Sequence, residues 1–313
     1  MRPLVTVIAL CHNHEDYVEE ALRSVFLQSY PYVEIIVVDD ASQDGSSEII
    51  QRLIRERQDN TRFLSFERNI GNCKAFNEAL KQANGTFIVD FATDDVMLPD
   101  MLKEMVEAFE GLPDQYGLVF SNAEYIDDQG VFLKNHFKAD EIVPYGDVYR
   151  EVVKRYFIAP PAMMSRKSML ETLGGYDETL AYEDFDLWIR AARNFSFYYM
   201  DQLTIRKRIH SKALSNSFYS SKSGLQESTY RVCEKIKWLN RSEEENRALR
   251  YRARYEMRVA CLTGNFDLFY SYRDLVSGRG ASIEERFLAF LAFVRLDLSV
   301  LYRFARRIRI FIS

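Results

Sequence analysis

The first hundred residues alternate between two hydrophobic periods. Residues 4–10 form a continuous apolar and β-branched run, as a strand buried on both faces requires. From Glu15 onward, Tyr17, Val18, Ala21, Leu22, Val25 and Phe26 recur at helical spacing. Residues 33–38 predict a second buried strand, and Ile49, Ile50, Leu53 and Ile54 a second helix after Ser46. A short strand near 63–66 precedes a helix carrying Ala75, Phe76, Ala79, Leu80 and Ala83, which Asn84-Gly85 closes as a left-handed cap. A strand over 87–91 follows. Pro99, at a first helical position, then opens a helix with Met101, Leu102, Met105, Val106 and Phe109 inward. This rhythm predicts an α/β fold around a mainly parallel sheet.

The middle third is less regular. Residues 118–120 predict a strand, and 124–133 a hairpin turning at Asp128-Gln129-Gly130. Ala159-Pro160-Pro161-Ala162 must be extended or turned, because proline removes a donor and restricts its predecessor. Beyond about Ser220, long helical patterns rich in Arg and Glu run to the end, with a break around Ser277-Gly278-Arg279-Gly280. No internal repeat is present.

Composition narrows the class. With 313 residues, 47% hydrophobic and 28% charged, the chain is ordinary globular material. A net charge of −5 argues against a nucleic-acid binder working by broad electrostatic attraction. The 14% aromatic content fits either a large core or sugar stacking. Cys11, Cys73, Cys233 and Cys261 are widely spaced, which suggests neither a zinc site nor a disulfide framework and fits a reducing, cytoplasmic setting. The apolar run at 4–10 is too short for a signal peptide, and polar residues follow it at once. No uncharged apolar stretch reaches the length of a spanning helix.

The chemistry lies in three acidic clusters. In open α/β sheets ligands bind outside the carboxyl ends of the strands, and two of the predicted strands lead into Asp39-Asp40 and Asp94-Asp95. One such pair reads as loop capping. Two pairs at two strand ends call for a cation to relieve their repulsion, and oxygen ligands suit Mg²⁺ or Mn²⁺. The third cluster, Glu183-Asp184, precedes the helical pattern Leu187, Trp188, Ala191, Ala192 and would either cap that helix or act at its mouth. Neither G-x-G-x-x-G nor a P-loop occurs, so phosphate binding would fall to metal rather than to a glycine cradle.

Several motifs, in order, resemble family-2 inverting glycosyltransferases of the GT-A fold. Val5-Thr6-Val7-Ile8-Ala9-Leu10-Cys11-His12-Asn13 and Ile36-Val37-Val38-Asp39-Asp40-Ala41-Ser42-Gln43-Asp44-Gly45-Ser46 look like the family's opening. Asn69-Ile70-Gly71 with Asn77, Thr93-Asp94-Asp95 with Pro99-Asp100, and Gly174-Gly175-Tyr176-Asp177 followed by Glu183-Asp184-Phe185-Asp186-Leu187-Trp188 resemble its later blocks. The match covers roughly 4–215.

The resemblance implies a Rossmann-like central sheet flanked by helices, with a C-terminal helical extension. It implies a catalytic domain over 1–218, with a nucleotide-binding half at 1–110 and an acceptor-binding half at 111–218, and a helical region over 219–313. The implied activity moves one sugar from a nucleotide diphosphate-sugar, expected to be a UDP-sugar, to a hydroxyl of a glycan, lipid-linked or protein acceptor. Polysaccharide or glycoconjugate assembly is the implied setting. Asp39 would bind the base with Cys11 and Asn13 lining the nucleoside pocket, and Asp94 would hold the ribose or metal side. Asp95 would coordinate Mn²⁺ or Mg²⁺, with His210 contributing. Asp184 would be the general base, and Glu183, Trp188 and Arg208 would lie in the acceptor or diphosphate region. The segment Arg208-Ile209-His210 with Ser215 resembles a late family block.

There are departures. Ala92 stands where the family commonly has an Asp, which thins the implied metal shell, and no Q-x-x-R-W signature of processive members occurs. The other reading is a nucleotide-sugar-binding or scaffolding protein that kept the fold without turnover. His12 and His14 read as first-loop or surface residues, and His136 as structural or exposed. Pro160-Pro161-Ala162-Met163-Met164 either shapes an acceptor pocket or fixes a loop. Trp238 reads as helical packing. Residues 287–312 interleave apolar and aromatic side chains with Arg295, Arg303, Arg306, Arg307 and Arg309. They form either a helix packed on this chain or a second subunit, or a peripheral contact with the cytoplasmic face of a membrane.

Overall fold

A computed structural model describes residues 2–211, 213–219, 224–276, 282–302 and 304. The chain divides into two compact units, Met1–Tyr149 with Phe157–His210, and Arg150–Tyr156 with Ser211–Ser313. The division falls ahead of the boundary read at 218, because the last sheet strand ends at Arg208 and helical segments follow.

The first unit opens with the expected alternation: β1 (Val5–Cys11), α1 (Val18–Phe26), β2 (Val33–Asp39), α2 (Ser46–Arg57), β3 (Arg62–Ser65), α3 (Asn72–Leu80) and β4 (Phe87–Ala92). It continues with β5 (Val96–Met97), α4 (Met101–Glu110), β6 (Tyr116–Ile126) and β7 (Phe132–Asn135). After α5 (Tyr149–Lys154), most of which belongs to the second unit, come β8 (Met163–Arg166), α6 (Lys167–Leu173), α7 (Asp184–Ala192) and β9 (Ser196–Arg208).

The strands form one sheet in the order β3-β2-β1-β4-β8-β6-β9-β5, with β7 on β6 as the expected hairpin. The first four strands are parallel neighbours, whereas β8 inserts antiparallel between β4 and β6. The sheet is therefore parallel in its first half and mixed in its second. Alternate residues divide between its faces. Val5, Val7, Ala9, Ile35, Val37, Phe87, Val89 and Phe91 pack with buried side chains of α1, α2 and α4 in one apolar core. Ile8, Ile36, Val38 and Ile88 are buried too, and α3 packs against β1 and β2.

Some details differ from the sequence reading. Helix α3 ends at Leu80 with a right-handed cap at Lys81, and Gly85 is not left-handed. Glycine is needed there for close approach instead, since a Cβ would lie 2.5 Å from the Thr6 nitrogen. Pro99 precedes the Asp100 cap of α4 rather than opening the helix. The four-residue β8 and the long β9 lacked a clear alternating signal. Both are recruited by pairing with β6, a tertiary effect that local pattern does not report.

The second unit is helical, with a 3-10 turn over Leu214–Tyr219 followed by α8 (Gly224–Leu239), α9 (Glu243–Leu262), α10 (Phe266–Val276) and α11 (Ile283–Phe293). Helix α9 is capped by Ser242, whose hydroxyl accepts from the Glu245 amide, and three glutamates occupy its first turn, where the helix dipole favours acids. Leu225, Val232, Cys233 and Ile236 of α8 and Ala253, Met257 and Ala260 of α9 are buried in this unit. Trp238 falls off that stripe and is 85% exposed, so it does not pack as expected. The break expected at 277–280 lies outside the described residues, as do Arg303, Arg306, Arg307, Arg309 and the side chain of Ser215. No helix among the described residues is long and apolar enough to cross a membrane.

Candidate functional site

The parallel register sets the floor of the site. Cys11 pairs with Asp39, and Leu10 with both Val38 and Ala92, so β1, β2 and β4 end at one level. Asp39 is buried, and its Oδ1 accepts from the Ser42 amide. Cys11 lies beside it, its thiol pushed upward by burial. Asn13 sits at φ 60°, donates its amide to Ser42 Oγ and accepts from the Gln43 amide, which closes the loop after β1 against the loop after β2. Asp40 turns the other way. Its two carboxylate oxygens accept from the amides of Ile70 (2.8 Å) and Gly71 (2.9 Å) and fix the entry to α3.

A second cluster gathers where β4 and β9 end. Asp94 accepts a hydrogen bond from His210 Nε2 at 2.9 Å, with His14 Nε2 4.0 Å from the same oxygen. His14 is itself placed by Thr93 through its Nδ1. Burial pushes Asp94 upward, but the His210 hydrogen bond and the two imidazoles outweigh it and hold the carboxyl below its usual range. Asp95 points inward and accepts from the Arg208 amide at 2.8 Å. Burial and the neighbouring Asp94 charge raise it well above the usual carboxylate range.

Arg208 is 3% exposed and braces this corner. Its guanidinium donates to the carbonyls of Asp94, Asp127 and Asp128 and to Glu20 Oε2 (2.6 Å), and lies over the Tyr17 ring.

The third cluster is built on α7. Asp184 begins the helix, and its Oδ1 is enclosed without a hydrogen-bond partner. Burial raises it to about 6, with Lys207 of β9 pulling it down. Glu183 accepts from the Asn72 side chain at the head of α3; burial and the charges of Asp184 and Asp90 raise it well above its usual range. Asp90 of β4 accepts from the Tyr176 hydroxyl at 2.8 Å and is raised to about 7, chiefly by burial. Lys207 also pulls Asp95 downward, so one ammonium acts on both clusters.

The sequence pattern of glycosyl transferase family 2 matches residues 6–173. This chain belongs to that family. The glycosyltransferase is 25% identical over 223 residues to the Escherichia coli O-antigen biosynthesis glycosyltransferase WbnJ, a match covering 68% of this chain and 83% of WbnJ. Some other relatives are longer, and the chain spans about a third of their length. Among solved structures it is similar to Staphylococcus aureus TarS 1–349 in complex with UDP-GlcNAc, at 20% identity and TM-score 0.67, covering 96% of this chain and 89% of that one. It also resembles the mannosyltransferase PcManGT of Pyrobaculum calidifontis, in complex with GDP-Man and Mn²⁺, at 17% identity and TM-score 0.60, covering 99% and 87%. These likenesses give the glycosyltransferase the GT-A fold.

Within this glycosyltransferase most motif residues turn out to be connectors. Asn77 receives the Tyr176 amide and donates to its carbonyl, and a Cβ on Gly175 (φ 74°) would sit 2.4 Å from its Oδ1. Asp186 is buried against Arg190, whose other nitrogens hold the carbonyls of Leu173 and Gly175. Trp188 is in the core, its indole donating to the Met163 sulfur, so it supports the site from behind. His136 is a bracket between the Tyr125 hydroxyl and the Phe157 carbonyl.

Sequence reasoning missed Asp90, Tyr176 and Lys207 as neighbours of Asp184, and His14 as a neighbour of Asp94. The alternation of β4 and β9 could have flagged Asp90 and Lys207, whereas Tyr176 and His14 lie in loops that carry no such signal. Among the described residues no group of three or more His, Cys, Asp or Glu is arranged to hold a metal ion. The donor set on Asp94 and His210 fits part of a shell, of the kind that a hard cation completes with diphosphate oxygens and water.

Proposed function

We propose that this glycosyltransferase moves one sugar, with inversion, from a UDP-sugar to a hydroxyl acceptor during assembly of a polysaccharide or glycoconjugate, and that Asp184 removes the acceptor's proton. The observation that carries the base assignment is the enclosed, unpartnered Oδ1 of Asp184 at the start of α7, on a carboxyl raised to about 6. A carboxylate so placed is deprotonated at neutral pH yet basic enough to accept a proton as the acceptor oxygen attacks. The nucleoside would lie over Cys11 and Asp39, paired at the strand ends, and Asn13 in the loop that follows β1.

The acceptor oxygen attacks the anomeric carbon from the face opposite the leaving diphosphate, its proton passes to Asp184 Oδ1, and the bond to the nucleoside diphosphate breaks. Asp94 and His210 would hold a divalent cation, which when bound supplies positive charge to the departing diphosphate. Arg208 would act by bracing that pair rather than by touching phosphate. The names of WbnJ and TarS support a surface-glycan setting and a UDP donor.

The test is direct. Asp184→Asn should bind UDP-sugar with unchanged affinity while transfer falls about 10²–10⁴-fold. Transfer at the wild-type rate by this variant removes the base assignment. Absence of both transfer and UDP-sugar hydrolysis in the wild type, across donors and with Mn²⁺ present, would instead favour a binding protein.

A further inference from the structure

Helix α11 carries apolar side chains on two sides. Leu288, Leu291 and Ala292 are buried in the second unit, and the Leu288 carbonyl receives the Cys261 thiol. Ile283, Phe287, Phe290 and Val294 recur at i, i+4, i+7 and i+11 on the other side and are exposed. Phe290 is 60% and Phe293 79% exposed. A helix apolar all round is normally buried all round, so this outer stripe is an uncovered surface. It continues past the helix, where Ser299–Tyr302 turns helical again and Val300, Leu301 and Phe304 are at least 66% exposed.

Charge says what covers it. From residue 286 to the last residue the sequence holds six arginines and one aspartate, a net of +5 in a chain whose total is −5. The acids at the head of α11 are answered within the fold, Glu284 by Arg258 and Glu285 by Arg254. Arg286 and Arg295 are exposed, Arg295 lying 3.8 Å from the exposed Asp267 carboxylate. The sequence beyond 304 adds Arg306, Arg307 and Arg309 among Ile308, Ile310, Phe311 and Ile312, with no acid. A second copy would set this positive charge against itself. A surface that is both apolar and negatively charged would satisfy it.

We propose that this face docks on an anionic lipid surface, with Phe287, Phe290 and Phe293 entering the interface and Arg286 and Arg295 meeting lipid phosphates. The inference stands on the second unit alone and does not depend on the transfer reaction.

The experiment is flotation of the full chain with phosphatidylcholine vesicles, with and without phosphatidylglycerol. Binding is expected on the anionic vesicles, weakening with added salt. The double variant Phe290→Ser, Phe293→Ser should bind about tenfold more weakly, and Arg295→Gln about fivefold more weakly. These side chains are exposed, so melting should be unchanged. Arg286→Gln with Arg295→Gln removes no packing and gives a second readout. Failure to float, or equal flotation of wild type and both variant pairs, overturns the proposal. A dimer in sedimentation velocity that the phenylalanine variant dissolves overturns it too, since a second copy would then be the occupant.

Discussion

Two of the three acidic clusters of the first unit, alike in sequence, place Asp94 and Asp184 in opposite electrostatic settings. Asp94 is met by two imidazoles and held below its usual range, beside Asp95 anchored on the Arg208 amide. Asp90 accepts from a hydroxyl and Glu183 from a side-chain amide, Asp184 Oδ1 has no partner and its carboxyl is pulled down by Lys207, and all three carboxyls are raised. In the first cluster Asp94 is arranged to keep its negative charge, which suits a cation and a diphosphate, while burial and that same charge raise its neighbour Asp95. The second is arranged to take up a proton. Burial is common to both, so the difference comes from which groups the fold brings opposite each carboxylate.

The largest effect that would break this contrast is in Asp184→Asn, with transfer lost and donor binding kept, as stated above. Next, His210→Ala should abolish the Mn²⁺-dependent part of UDP affinity, measured by calorimetry with and without metal, and lower kcat/KM about 10²-fold. Equal metal dependence in this variant would separate His210 from the charge-keeping cluster. Arg208→Ala should destabilise the fold by about 3 kcal/mol, because it leaves three carbonyls without their donor around a buried guanidinium site, the exposed Glu20 adding little. A raised KM with unchanged melting would return Arg208 to the diphosphate.

The pH predictions sharpen the same comparison. If Asp184 is the base, kcat/KM should rise with pH up to about 6 and then level, since the carboxyl must be ionised to act. A limb below the ordinary carboxylate range would contradict its raised position. The smallest effect concerns Asp90. Its folded value near 7 lies above that of the unfolded chain, so its neutral form stabilises the fold fully below about pH 4, and that contribution is lost as pH rises from there through about 7. Asp90→Asn keeps an acceptor for Tyr176 and should raise the melting temperature by a few °C at pH 8, with little change below about pH 4.

Much of this was legible in the chain. The periods of β1 through α4 are written locally, because a strand buried on both faces and a helix buried on one leave distinct spacings of apolar residues. The motif order was equally legible and led to the family. The roles inside a motif were less so. In Glu183-Asp184-Phe185-Asp186-Leu187-Trp188, one acid is tied to α3, one to Arg190, and one is left without a partner, and nothing in the spacing ranks them.

By itself the sequence determined the family, the alternating α/β half, and the positions of the acids at strand ends, since each follows from residue types close together in the chain. Only the tertiary structure decided which acid is held below the usual carboxylate range and which is raised above it. Asp94 depends on His14 and His210, and Asp184 on its burial and on Lys207, partners far away in the sequence. A carboxylate's affinity for protons is set by burial and by the groups a few ångströms away, and those are chosen by strand pairing rather than by order along the chain.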